Sequence, residues 1–135
     1  HEASINSVER YDLATNAWEA VAAMATARLA LGVAVLDGKL YAVGGRILDD
    51  DDDGYLSSVE RYDPAVNAWE AVPPMATTRA GHAVAVLDGK LYAACGYNND
   101  GGDDLHSVER YDPATNALEA VAAMATARQG SAVAV

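Results

Sequence analysis

A six-residue segment occurs three times in this 135-residue chain and constrains its fold more than any other feature. The copies of Ser-Val-Glu-Arg-Tyr-Asp begin at Ser7, Ser58 and Ser107, which are 51 and 49 residues apart. Each copy is followed by Asn-Ala, by Trp or Leu, and by Glu-Ala-Val; an arginine then stands four residues after a methionine. Such a period indicates a supersecondary unit that buries its apolar surface by stacking on the next unit.

The apolar segments of each repeat are predicted to be short β-strands. Asp37-Gly38, and again Asp88-Gly89, lies between two apolar segments and predicts a tight hairpin turn. Residues 64–67 and 113–116 predict a second turn in each repeat. A helix over the alanine-rich residues 20–27 is the weaker alternative, because turn signals flank this short stretch. Four strands per repeat suit one blade of a β-propeller.

The spacing of glycine and aromatic residues resembles the kelch repeat. Gly44 and Gly45 are followed by Tyr62, and Trp69 stands seven residues after that tyrosine. The pattern is most similar to the kelch domains of BTB-kelch adaptors of cullin-RING ubiquitin ligases, and the similarity covers almost the whole chain. The resemblance implies an all-β kelch β-propeller with blades of four antiparallel strands.

The residues that carry the pattern are expected to have structural roles. Glycines admit close backbone approach, and the large aromatic side chains should pack between neighbouring sheets. These structural residues are Gly44, Gly45, Tyr62, Trp69, Trp18, Gly96 and Tyr111. Two departures, Cys95 for a glycine and Leu118 for a tryptophan, are expected to be tolerated. The Glu-Arg-Tyr-Asp copies are predicted to form repeated structural salt bridges.

In the blade order of the family, the chain begins on a third strand. The expected units are a half blade at 7–21, full blades at 31–72 and 81–121, and the first strand of a shared blade at 130–135. Similar kelch domains close with six blades, so one chain supplies about half a ring. Exposed sheet faces and edges favour association, and we expect a homodimer that closes the ring. The shared blade lacks its second strand, which a longer chain or another segment would supply.

Charge and composition exclude several classes of partner. The net charge of −11 repels phosphate backbones and anionic lipids, so neither nucleic acid nor a membrane is an expected partner. Cys95 is the single cysteine, which rules out an intrachain disulfide and agrees with a cytoplasmic location. The near-identical, alanine-rich repeats suggest a designed or consensus-derived protein; a natural fragment is the alternative.

Two variable loops, residues 46–57 and 97–106, are the candidate recognition elements. Arg46 follows the glycine pair, and in one member of the family an arginine at this place contacts acidic peptides. The resemblance therefore implies a peptide-binding role for Arg46, although the adjacent aspartates would repel an acidic peptide.

The acidic residues of these loops are the candidate metal ligands. Carboxylate oxygens suit hard cations such as Ca²⁺, but a continuous run lacks the spacing of a calcium-binding loop. The candidates are Asp49, Asp50, Asp51, Asp52, Asp53, Asp100, Asp103 and Asp104. His82 is expected to face the central channel, and no cofactor is predicted.

These observations favour a non-catalytic β-propeller scaffold or protein-binding module that assembles into a six-bladed ring. The alternatives are a peptide-recognition fragment of a ubiquitin ligase adaptor and a metal-binding propeller that uses the acidic loops. No enzyme activity is expected, because Cys95 has no neighbouring base in the sequence that would activate it as a nucleophile.

Overall fold

A computed structural model describes residues 6–47, 54–98, 105 and 107–122 of the chain. The described residues contain ten β-strands and no helix. The strands are β1 (Val8–Asp12), β2 (Ala17–Val21), β3 (Gly32–Leu36), β4 (Lys39–Arg46), β5 (Tyr55–Asp63), β6 (Ala68–Val72), β7 (Ala83–Leu87), β8 (Lys90–Ala94), β9 (Val108–Asp112) and β10 (Ala117–Val121).

The strands form three antiparallel sheets in which neighbours in sequence are neighbours in space. The first sheet contains β1 and β2, the second contains β3 to β6 in order, and the third contains β7 to β10 in order. Up-and-down sheets of four strands are the blades of a β-propeller. The predicted all-β class with four-stranded antiparallel blades is therefore confirmed.

The predicted hairpin turns are present in both four-stranded sheets. Asp37 and Gly38, between β3 and β4, have φ values of 54° and 75°. Asp88 and Gly89, between β7 and β8, have φ values of 52° and 73°. Positive φ at both turn residues is the type I′ geometry, whose twist matches that of the flanking strands.

The alanine-rich residues 20–27 do not form a helix. Strand β2 ends at Val21, and the residues that follow cross from the first sheet to the second. We call residues 22–31 the first connection and residues 73–82, between β6 and β7, the second connection. Backbone amides of each connection form hydrogen bonds to the neighbouring sheets. These bonds replace the ones that a helix would supply within the segment.

The second and third sheets approach closely along β3 and β7. A Cβ atom added at Gly32 would lie 2.2 Å from Cγ2 of Val84. The amide of Gly45 donates to the carbonyl oxygen of Arg79 at 2.6 Å. A side chain at Gly32 would therefore overlap Val84, and one at Gly45 would overlap the first connection, which explains why glycine stands at both positions.

The apolar core lies between the second and third sheets. Its buried members are Leu36, Tyr41, Val43, Val59, Met75, Leu91, Ala93 and Tyr111. The rings of Tyr41 and Tyr111 tilt towards each other with their centroids 5.8 Å apart. Each four-stranded sheet therefore contributes apolar side chains to one shared interior, as stacked repeats require.

The first sheet differs because its outward face is uncovered in the described chain. Trp18 is 67% exposed and contacts the ring of Tyr11, itself 40% exposed, in a T-shaped arrangement. The expectation that Trp18 packs between adjacent sheets is therefore wrong within one chain. The physical reason is that no described sheet lies on that side of it.

Candidate functional site

Each connection is fixed by a buried arginine at its end. The Arg28 side chain is fully buried and donates to the carbonyl oxygens of Gly44 and Ser58, each at 2.9 Å. Its Nη2 also lies 2.8 Å from Oε2 of Glu60. The Glu60 carboxylate, in β5, accepts the backbone amides of Ala25 at 2.8 Å and Thr26 at 3.2 Å. Charge-assisted bonds of this kind hold the first connection on the second sheet.

The second connection repeats this arrangement on the third sheet. Arg79 donates to the carbonyl oxygens of Cys95 and Ser107, each at 2.9 Å, and its Nη2 lies 3.2 Å from Glu109. Glu109 also accepts the amides of Ala76 and Thr77, at 2.7 and 3.2 Å. The arginine after each methionine and the glutamate of each Glu-Arg-Tyr-Asp copy are therefore one structural unit.

The arginine of each Glu-Arg-Tyr-Asp copy forms a second, exposed salt bridge across two neighbouring strands. The pairs are Arg10 with Glu19, Arg61 with Glu70, and Arg110 with Glu119. In the second sheet the pKa of Arg61 is raised by its hydrogen bonds to Tyr41 and Glu70. Surface pairs of this type contribute little to stability. The predicted salt bridges are thus of two kinds, one buried and one exposed.

Asn67 and Trp69 attach the second sheet to the beginning of the first connection. The indole Nε1 of Trp69 donates to the carbonyl oxygen of Ala22 at 2.8 Å, and the Ala22 amide donates to Oδ1 of Asn67 at 3.0 Å. The Tyr62 hydroxyl bonds to the same Asn67 oxygen at 2.7 Å. We call Glu60, Asn67 and Trp69 the connection-binding face of the second sheet.

The third sheet has no tryptophan at this position, and the second connection also differs from the first where the two would meet. Leu118 stands where the second sheet has Trp69, and Pro73 stands where the first connection has Ala22. Proline has no amide hydrogen to donate to the asparagine, and leucine has no indole to donate to the carbonyl oxygen. Leu118 and Pro73 together therefore remove both hydrogen bonds of this joint.

The first sheet carries a complete copy of the connection-binding face, which we call the open face. It consists of Glu9, Asn16 and Trp18, at the positions of Glu60, Asn67 and Trp69. All three are exposed, whereas Glu60 is buried by the first connection. The Asn16 oxygen is oriented by a hydrogen bond from the Tyr11 hydroxyl, as Asn67 is by Tyr62. Sequence inspection missed this site, although the repeat alignment contains its signal.

Arg46, the predicted peptide-binding residue, lies at the end of β4 beside two tyrosines. Its guanidinium carbon is 5.4 Å from the centroid of the Tyr55 ring, and that ring is T-shaped to Tyr97 at 5.8 Å. Its backbone pairs with Leu29 of the first connection. Its Nε is buried without a hydrogen-bond partner among the described residues. We call Arg46, Tyr55 and Tyr97 the Arg46 cluster.

His82 is buried between the second and third sheets rather than exposed on a channel, so that expectation is wrong. Its Cε1 atom lies 3.1 Å from the position a Cβ would take at Gly44, and the residue is 8% exposed. Burial lowers the pKa of His82 to about 4, with the charge of Arg79 acting in the same direction and the Val43 backbone opposing it. Burial thus keeps the imidazole neutral at physiological pH.

Cys95 is buried and keeps the backbone of the glycine it replaces. Its φ of 66° is close to the 60° of Gly44. Its carbonyl oxygen accepts Arg79, as that of Gly44 accepts Arg28. The cysteine therefore retains the arginine contact of the repeat.

The candidate metal ligands of the two acidic loops lie outside the described residues. These are Asp49, Asp50, Asp51, Asp52, Asp53, Asp100, Asp103 and Asp104. Within the described part of the chain, the His, Cys, Asp and Glu side chains form no group that could hold a metal ion. The described residues also contain no helix with the length and hydropathy needed to cross a bilayer.

A family profile described as the kelch motif matches residues 2–25, 27–76 and 78–124. Human Kelch-like protein 33 is 37% identical over 101 residues, which are 75% of this chain and 18% of that protein. Zebrafish Kelch-like ECH-associated protein 1A is 45% identical over 93 residues, 69% of this chain and 16% of that protein. The chain thus spans less than a fifth of these relatives.

A solved structure entitled "Structure of YjhT" has the same fold. It superposes with a TM-score of 0.69 at 22% identity, covering 81% of this chain and 41% of that chain. Together with the three matched motifs, this identifies the second and third sheets as kelch blades. The chain belongs to the kelch-repeat family.

Proposed function

We propose that this chain is a non-catalytic kelch scaffold that binds protein, and that its first protein partner is a second copy of itself. The observation that carries the proposal is the open face of the first sheet. There Trp18 is 67% exposed, whereas the equivalent Trp69 is partly buried on the first connection. A large aromatic side chain with an unused donor is the usual anchor of a protein interface.

The buried carboxylates and the buried histidine of the described chain support a scaffold rather than an active site. Glu60 and Glu109 bind a buried arginine and two backbone amides each, so their oxygens are already engaged in structural contacts. His82 is packed between two sheets. A general base needs access to the proton it removes, and these groups lack such access.

A closed ring is the assembly that we propose for this fold. Each described chain supplies two blades of four strands and one sheet of two strands. Propellers contain four or more blades, and in the arrangement that we propose a second copy supplies the blades that these sheets do not. In this proposal two copies, related by a two-fold axis, form a ring of six blades. Each end of one copy is then buried against the other copy.

Size-exclusion chromatography with light scattering tests this function. We expect a species of twice the chain mass of 14.1 kDa whose proportion falls on dilution. A mass of 14.1 kDa at every concentration would reject self-assembly.

The Arg46 cluster supports a second candidate function, the binding of an acidic peptide. A guanidinium lying against an aromatic ring keeps its charge and its remaining donors for a carboxylate. The relatives named as Kelch-like proteins share the repeat that places this residue. The test is fluorescence anisotropy with a labelled peptide rich in glutamate, comparing the wild-type chain with R46A. Arg61, which is engaged by Glu70, provides the control variant R61A.

Peptide binding that is lost in R46A and kept in R61A would support this second function. Equal affinities of the two variants would reject it, since a general electrostatic attraction would then explain the binding.

A further inference from the structure

We infer that the open face of the first sheet binds residues 121–128 of a second copy of this chain. This inference rests on the proposed self-assembly and goes further by naming both surfaces of the joint. The residues of the open face are Glu9, Asn16 and Trp18, and the described part of the partner segment is Val121 and Ala122.

The joint within one chain shows what the open face is built to hold. On the second sheet, Trp69 and Asn67 bind the backbone carbonyl and amide of Ala22 at 2.8 and 3.0 Å. Glu60 binds the amides of Ala25 and Thr26 and the side chain of Arg28. The site therefore binds the backbone of an extended segment and the side chain of one arginine.

The segment at the other end of the chain has the same sequence as the one held by this joint. Residues 21–28 and residues 121–128 both read Val-Ala-Ala-Met-Ala-Thr-Ala-Arg. Residues 72–79 read Val-Pro-Pro-Met-Ala-Thr-Thr-Arg and meet the sheet in which Leu118 replaces the tryptophan. Residues 21–28 and 121–128 have alanine where residues 72–79 have Pro73. Both therefore keep the backbone amide that can donate a hydrogen bond to the asparagine. The open face contains Trp18, the equivalent of the Trp69 that binds Ala22 of the first connection.

The open face is accessible in the described chain, and so is Ala122 at the beginning of the partner segment. Trp18 is 67% exposed, and Glu9, Asn16 and Ala122 are also exposed. Among the described residues, the open face belongs to the first of three sheets and Val121 ends the last strand of the third. Joining them within one chain would require a ring of three blades, smaller than any propeller with four to eight blades. The same segment of another copy can reach the open face without this constraint.

The open face and residues 121–128 also have complementary charges. On the second sheet the carboxylate of Glu60 receives Arg28, and on the third sheet Glu109 receives Arg79. By the same pairing, Glu9 of one copy receives Arg128 of the other. A dimer contains this joint twice, once in each direction, so each copy gives one segment and one open face.

A charge exchange between chains tests the inference by sedimentation velocity. We expect E9R and R128E each to weaken self-association at least about tenfold, because each joint then has two like charges. An equimolar mixture of the two variants should recover the dimer. In that mixed dimer one joint keeps the native pair and the other has the same pair with its charges exchanged.

Neutral variants separate the tryptophan from general surface hydrophobicity. W18L places in the first sheet the residue that the third sheet has, and we expect it to weaken the dimer at least about tenfold. The control is L13P, which removes a leucine that is 85% exposed and introduces the proline found at the equivalent positions 64 and 113. L13P should leave the dissociation constant unchanged.

Three results would contradict different parts of the proposal. A wild-type dimer that is equally stable in E9R, R128E and W18L would overturn the inference while leaving self-assembly intact. A wild-type chain that stays monomeric would overturn both the inference and the proposed self-assembly. If E9R and R128E each dissociate but their mixture does not associate, the pairing of Glu9 with Arg128 is wrong.

Discussion

The indole of Trp69 donates a 2.8 Å hydrogen bond to the carbonyl oxygen of Ala22, 47 residues earlier in the chain. This bond joins the outer strand of one blade to the connection that leaves the preceding sheet. The same tryptophan in the first sheet, Trp18, has no such partner among the described residues and is 67% exposed. One residue type at one repeat position thus binds a neighbouring connection in one sheet and is exposed in another.

Replacement of the two tryptophans should separate these roles. W69L removes the hydrogen bond and part of the buried ring, and we expect it to lower the free energy of unfolding by about 2 kcal/mol. W18L should lower it by less than about 0.5 kcal/mol in solutions dilute enough to contain only monomer. Urea denaturation followed by circular dichroism measures both values. Equal losses in the two variants would contradict the assigned roles.

The two glutamates in the second sheet provide a comparison of buried and exposed salt bridges. The Glu60 side chain is 7% exposed and holds Arg28, whereas Glu70 is 50% exposed and holds Arg61. E60Q leaves a buried guanidinium without its counter-charge and should lower the free energy of unfolding by about 3 kcal/mol. E70Q should lower it by less than about 1 kcal/mol. Denaturant titration of both variants at pH 7 is the measurement; a larger loss in E70Q would contradict the account.

His82 should make stability depend on pH in a defined window. Its pKa falls from 6.5 to about 4 on folding, so between these values the unfolded chain binds more protons than the folded one. The free energy of unfolding should therefore decrease as the pH falls from 6.5 to 4, by up to about 3 kcal/mol. Above pH 6.5 this residue has no effect, because both states are neutral.

The matched variant for this test is H82L, since the preceding repeat has Leu31 at the same position. Thermal or urea denaturation at pH 7 and at pH 4 gives the loss for each protein, and the carboxylates contribute equally to both. We expect H82L to lose less stability than the wild type between these pH values. The same loss in both proteins would show that His82 does not titrate in this window.

Gly44 and Gly38 allow the effect of close packing to be separated from that of backbone conformation. Both have positive φ, at 60° and 75°, but only Gly44 faces neighbouring atoms, with the Arg79 carbonyl oxygen 2.8 Å from an added Cβ. G38A should lower the free energy of unfolding by about 1 kcal/mol through the left-handed backbone alone. G44A should lower it by about 1–2 kcal/mol more, because the next connection must move. Calorimetry of both variants checks the difference.

The local parts of the fold could be predicted from the sequence, because their signals lie within a few residues. Asp37-Gly38 indicates its own turn, and the glycine and tryptophan spacing indicates the kelch repeat. The partner of Glu60 could not be assigned, since Arg28 is 32 residues away and the chain contains six other arginines that could pair with it. Trp18 and Trp69 have identical neighbours, Ala and Glu. Only the arrangement of sheets shows that one is covered and the other is not.

The most direct test of the account is native mass spectrometry of the wild-type chain. If two copies close one ring through the open face, the spectrum should contain a dominant species of twice 14.1 kDa, with a monomer that increases on dilution and nothing larger. A spectrum with the 14.1 kDa species alone, or with a continuing series of trimers and tetramers from an unclosed array, would contradict it.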